Sequence, residues 1–106
     1  LNEPSFADVE RMKDLFRAFE EKSLLVKLLD RSMKAKGVQV LFGSECGSAG
    51  IEGCSIIASP YGHPGRFLGI LGVIGPIRMD YARVIPVVDY TAKLLTDILE
   101  SEWGSL

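Results

Sequence analysis

The chain has 106 residues with 12 basic and 14 acidic side chains, a net charge of -2 and a pI near 5.3, which fits one domain rather than two. At 47% hydrophobic and 25% charged it falls in the range of soluble globular domains, so a buried core is expected without disulfide or metal staples. An acidic chain lacks the positive field that drives non-specific nucleic-acid binding, and no apolar run approaches the ~20 residues of a membrane span. No signal-peptide pattern opens the sequence and it starts without Met, so the expectation is a cytoplasmic segment of a longer polypeptide.

Glycine and charge divide the chain into three blocks. Residues 1 to 36 hold 8 of the 12 basic residues, 7 of the 14 acidic ones and no glycine, and read as helical. Phe6, Val9, Met12, Phe16 and Phe19 recur at spacings of three and four, with Ser5 and Asp8 resembling a capping box, which predicts a helix over 6–20 with an apolar face. Leu24, Leu25, Leu28 and Leu29 lie roughly opposite that face at 100° per residue. A break near residues 21–23 therefore precedes a second helix over 23–35, stopped by Gly37. The four leucines give this block more apolar surface than a small sheet covers, which marks them as candidates for self-association.

Residues 37 to 77 carry 10 of the 11 glycines and only three charges, Glu45, Glu52 and Arg66. Three strands are expected, over 38–42, 54–59 and 66–74, with PYGHPG at 60–65 as a turn. Gly69, Gly72 and Gly75 weaken a strand unless another element needs close approach, so they are assigned to close sheet–helix packing. The last block predicts a long helix over 78–100, with Asp80 in its first turn and a kink where Pro86 leaves the Ala82 carbonyl without a donor. The fold class is α+β: a small antiparallel sheet of about three strands covered by helices.

Candidate chemistry is thin. His63, the only histidine, has no partner implied by the sequence, and Cys46 and Cys54 match no zinc spacing and have no neighbour suited to activating a thiol. GILGVIG matches neither dinucleotide nor P-loop patterns. No catalytic residue, metal or cofactor is expected, and an interaction module is favoured over an enzyme.

The segment GVIGPIRMDYARVIPVVDYTAKLL at residues 72–95 resembles the C-terminal signature of the HrcA family of heat-inducible transcription repressors. Pro60-Tyr61, the strand from Gly65 to Pro76 and LNEPSFADVER at residues 1–11 fit the same pattern; Ile77 stands where the family usually has threonine, and loop 43–53 fits least well. The resemblance implies the C-terminal half of a GAF-like domain together with the end of an inserted dimerisation region. It also implies a homodimer that binds the CIRCE operator of chaperone operons through a winged-helix domain N-terminal to this segment, and support from the GroE chaperonin. A GAF-like small-molecule sensor is the alternative.

Overall fold

The structure is a computed structural model that describes residues 6–34, 37–46 and 49–103. Helix α1 (Phe6–Glu20) is followed by α2 (Lys22–Lys34), then strand β1 (Gln39–Phe42), two short 3-10 turns at Gly43–Glu45 and Ala49–Ile51, the strands β2 (Cys54–His63) and β3 (Arg66–Pro76), and helix α3 (Tyr81–Trp103). The three strands form one antiparallel sheet in the order β1-β2-β3. The α+β architecture is thus the expected one.

β2 is the central strand, and Cys54 to Ser59 are buried without interruption. Side chains alternate across a strand, so burial of a continuous run requires cover on both faces. Ile56 and Ala58 join Ala18, Leu24, Leu28, Leu41, Cys46 and Ile51 in one apolar cluster on the α1–α2 side. Ser55, Ile57 and Ser59 face the other way, toward α3, whose buried residues are Val88 and Ala92. At the entrance to α3 the Tyr81 hydroxyl donates to the Ile77 carbonyl at 2.6 Å and lies 3.0 Å from the Ser55 hydroxyl, fixing the helix start over the beginning of β2.

The break between α1 and α2 falls at Glu21, where the apolar phase shifts, as expected. The face that α1 buries overlaps the predicted one only at Phe19 among the residues whose side chains are described. Val9, Met12 and Phe16 are exposed, Phe16 by 65%, whereas Leu15, Ala18 and Phe19 carry the contact with the core. The cause is close approach: a Cβ at Gly50 would lie 2.6 Å from the Asp14 carbonyl oxygen and 3.2 Å from the Ala18 Cβ. Only a small residue on α1 fits there, and Val9, Met12 and Phe16 are turned outward. Ser5 and residue 35, the expected end of the second helix, lie outside the described residues.

The hairpin is longer than the sequence suggests. Residues 60–63 belong to β2, and the connection is the two-residue turn Pro64-Gly65, with Gly65 at φ +84°. Pro60 is tolerated because β1 pairs with β2 only as far as Ala58, so beyond that point β2 has a free edge. The register shifts between Tyr61 and Gly62, a bulge at which Gly62 takes φ +107°. α3 begins at Tyr81 rather than 78, with the Asp80 carbonyl accepting from the Arg83 and Val84 N–H groups at 3.1 and 3.0 Å, and it runs unbroken through Pro86.

A Cβ at Gly62 would meet the Arg66 carbonyl oxygen and the Leu68 nitrogen, both at 2.9 Å, whereas at Gly72 the nearest atom is at 3.7 Å. Gly62→Ala should therefore lower stability by about 1–3 kcal/mol, since it combines a left-handed backbone with backbone clashes. Gly72→Ala should change it by less than about 1 kcal/mol. Urea denaturation midpoints of the two variants test this.

Candidate functional site

The hairpin tip and the polar flank of α3 enclose an open cleft of about 760 Å³, floored by Pro60, Phe67 and Ala92 and bordered by Lys34, Asp89 and Asp97. Thr96 ties its two walls together: its hydroxyl donates to the Ala92 carbonyl and accepts from the Gly62 N–H, each at 2.8 Å. The bulge thus supplies the backbone donor and the helix supplies the acceptor. At the outer end His63 Nε2 contacts Glu100 Oε2 at 2.5 Å, a partner 37 positions away that no local pattern reveals. Lys93 pairs with Asp89 at 3.0 Å and Lys34 with Asp30 at 3.2 Å, so the cations around the cleft are already engaged by carboxylates.

A second polar anchor holds α1. The Arg11 guanidinium donates to the Glu52 carbonyl at 2.7 Å and to the Cys54 Sγ at 3.2 Å, fastening the helix to the start of β2. Nearby, Glu45 accepts from the Phe42 N–H at 3.1 Å and pairs with Arg31 at 3.5 Å. Cys46 is buried, and burial pushes its thiol above the ordinary 9.0; Arg31 opposes the rise, Glu45 adds to it and Lys27 opposes it. That thiol is held neutral and its environment is the reverse of one that makes a nucleophile. Among the described residues no group of three or more His, Cys, Asp or Glu is placed to hold a metal ion, and no helix is long and apolar enough to cross a membrane.

The leucines singled out from the sequence are divided. Leu24 and Leu28 are in the core, one turn apart and facing the sheet, while Leu29 is 49% exposed and the side chain of Leu25 lies outside the described residues. The anticipated single exposed leucine face is therefore not present: the sheet takes Leu24 and Leu28 because Leu41, Ile56 and Ala58 offer them an apolar surface. The glycines of β3 also serve a different purpose from the expected one. A Cβ at Gly69 would run into the Tyr61 ring from the paired strand, one at Gly75 would meet the flexible end of Met79 at 2.5 Å, and at Gly72 the contacts are ordinary and to β2. In each case the nearest neighbours are cross-strand or following-loop atoms, not α3.

Exposed apolar side chains are instead arranged in two stripes. Val9, Met12 and Phe16 form one on α1; Val87, Tyr90, Leu94 and Ile98 form the other on α3, spaced by three, four and four. Leu68, Val73 and Ile74 on β3 are exposed as well.

A family profile described as "HrcA protein C terminal domain" matches residues 1–85. The chain belongs to the HrcA family. It is 59% identical over 102 residues to a heat-inducible transcription repressor HrcA of Geobacter sulfurreducens, covering 96% of this chain and 30% of that protein. The HrcA of Syntrophobacter fumaroxidans is 50% identical over 101 residues, 94% of this chain and 29% of its own length, and that of Methylococcus capsulatus 49% identical over 89 residues, 84% and 25%. The chain thus spans under a third of the HrcA proteins it matches. No solved structure gives a significant match to it. In this HrcA segment the family signature at 72–95 corresponds to β3 from Gly72 onward, the turn at Ile77–Arg78 and the first half of α3.

Two outcomes are expected. Thr96→Val should cost about 1–3 kcal/mol, read as a lower thermal midpoint, because it leaves the Gly62 N–H without its acceptor. With the folded Cys46 thiol raised above its unfolded value, the unfolded chain loses that proton first; the contribution is full below pH 9.0 and is lost as pH rises beyond it. Stability measured from pH 8 to 10 should fall less in Cys46→Ala than in the native chain.

Proposed function

We propose that this chain is the C-terminal regulatory and self-association module of a cytoplasmic repressor of heat-shock chaperone operons. The observation that carries the reading is the match at 59% identity over nearly the whole chain to a protein named as a heat-inducible transcription repressor, of which it covers 30%. In this reading DNA contact with the CIRCE operator is made by a winged-helix domain elsewhere in the longer polypeptide. The present segment is half of a GAF-like domain with the end of the dimerisation region, the repressor is a homodimer, and the GroE chaperonin acts on it. The net charge of -2 and the apolar stripes on α1 and α3 suit a protein-binding module better than a phosphate-binding one.

The cleft beside Thr96 favours a second reading, a small-molecule sensor, since its size lies within the range of ligand pockets. A thermal-shift screen against a metabolite panel separates the two: a saturable rise in midpoint, abolished by Asp97→Trp, which places bulk in the cleft from an exposed position, would favour the sensor.

The isolated chain should not retain CIRCE DNA in a gel-shift assay, and its melting temperature should rise with protein concentration as mass action requires of an associating species. Specific operator retention, or a dilution-independent melting point with a monomer mass at every concentration, would overturn the division of labour proposed here.

A further inference from the structure

We infer that the cleft between the hairpin tip and α3 binds a small organic cation with a flat apolar body, a protonated arylalkylamine. The inference rests on the sensor reading of that cleft and names the class of molecule it takes.

The polar groups that face the cleft are nearly all engaged with one another. Thr96 donates to the Ala92 carbonyl and accepts from the Gly62 N–H, and the Ser59 hydroxyl donates to the Pro60 carbonyl at 3.1 Å. Lys34 is paired with Asp30, Lys93 with Asp89 and His63 with Glu100. Asp97 is the exception. It lines the cleft and is exposed, and among the described residues no hydrogen bond or ion pair engages its carboxylate.

The charge left over is therefore negative. Asp30 and Asp89 cancel the two lysines, Glu100 faces His63, and the Asp97 carboxylate remains. Recognition of a phosphate or carboxylate requires free cationic side chains or backbone N–H groups. Here both lysines are neutralised and the N–H at the Gly62 bulge is taken by Thr96, so an anion finds no partner and meets a like charge. An ammonium group finds one open carboxylate.

The floor selects the rest of the molecule. Pro60 and Pro64 present rigid apolar rings and Phe67 an aromatic one. Such surfaces favour a flat ring, and an aromatic face also attracts a cation. A volume of about 760 Å³ accommodates a bicyclic amine.

The strand edge beside the cleft is poorly made for pairing with another stretch of polypeptide. β1 accompanies β2 only as far as Ala58; beyond that point Pro60 has no N–H to donate and Gly62 has given its own to Thr96. A small molecule that asks for no backbone ladder suits the cleft better than a further strand.

The test is isothermal titration of the chain with tryptamine, tryptophol and indole-3-acetate, which share one ring system and carry a positive, no and a negative charge. Asp97→Asn removes the charge at constant size, Asp97→Trp blocks the cleft, and Glu20→Gln removes an exposed carboxylate on α1 as the control. All three substitutions are at exposed positions and should keep the native circular dichroism. Tryptamine is expected to bind saturably and in preference to the other two, about three- to tenfold more weakly in Asp97→Asn, unchanged in Glu20→Gln and not at all in Asp97→Trp. Preference for tryptophol or indole-3-acetate, or tryptamine binding that Asp97→Asn leaves unchanged, overturns the cationic class. If none of the three binds but a compound of the metabolite panel gives a shift that Asp97→Trp removes, the class is overturned and the sensor reading stands. If nothing in either set binds, both fall.

Discussion

The whole molecule depends on β2 being buried from both sides. Its run from Cys54 to Ser59 has no exposed residue, so neither helical layer can be removed without exposing half of the strand. The two layers meet it differently. On one face α1 and α2 contribute Ala18, Leu24 and Leu28 to an apolar cluster; on the other α3 adds Val88 and Ala92 beside two serines that need hydrogen bonds. Ser55 obtains them from Tyr81 and the Pro76 carbonyl, and Ser59 from the Pro60 carbonyl. A purely apolar strand would have removed this requirement; of these pairings the one between Ser55 and Tyr81 reaches α3 and helps to specify how it is seated.

That seating is reinforced at the far end by the bulge. Gly62 turns its N–H to Thr96, and His63 reaches Glu100, so α3 is held near both ends of β2 by groups from different parts of the chain. Between these points the contact is made by small or β-branched residues, and the outer flank is left apolar and uncovered. The chain belongs to the HrcA family, and the uncovered flank of α3 is one of the two apolar stripes on which the protein-binding reading proposed above rests.

Much of this was legible in the sequence. The α1–α2 break at Glu21 follows from the shift in apolar phase, the three strands from glycine-rich apolar runs with few charges, and the long last helix from a stripe that resumes past Pro86. What sequence alone missed depends on tertiary neighbours. Pro60 and Gly62 carry turn propensity, yet they lie in a strand because β1 ends at the position paired with Ala58. The aromatic stripe of α1 is apolar and periodic, yet Gly50 and Ala18 decide which face docks. Leu24 and Leu28 could not be told from Leu29 without knowing where the sheet lies, and the His63–Glu100 contact joins residues with no shared local pattern.

The Arg11 anchor has a consequence for the order in which the molecule comes apart. β2 and β3 are joined by a two-residue turn and their pairing closes small loops, while α3 is tied back to β2 by several separate contacts across 26 to 37 positions. α1, in contrast, is attached through a guanidinium to residues 41 and 43 positions away and through the fit of Ala18 against Gly50. The polar part of that attachment is two hydrogen bonds from a single side chain at a partly exposed site. The amino-terminal helix is therefore the first element to detach on warming, while the hairpin and α3 persist as the more protected unit. A segment built this way loosens from one end before it melts, and the surfaces bared first are those that α1 covers, the turn at Ala49–Ile51 and the adjoining face of α2.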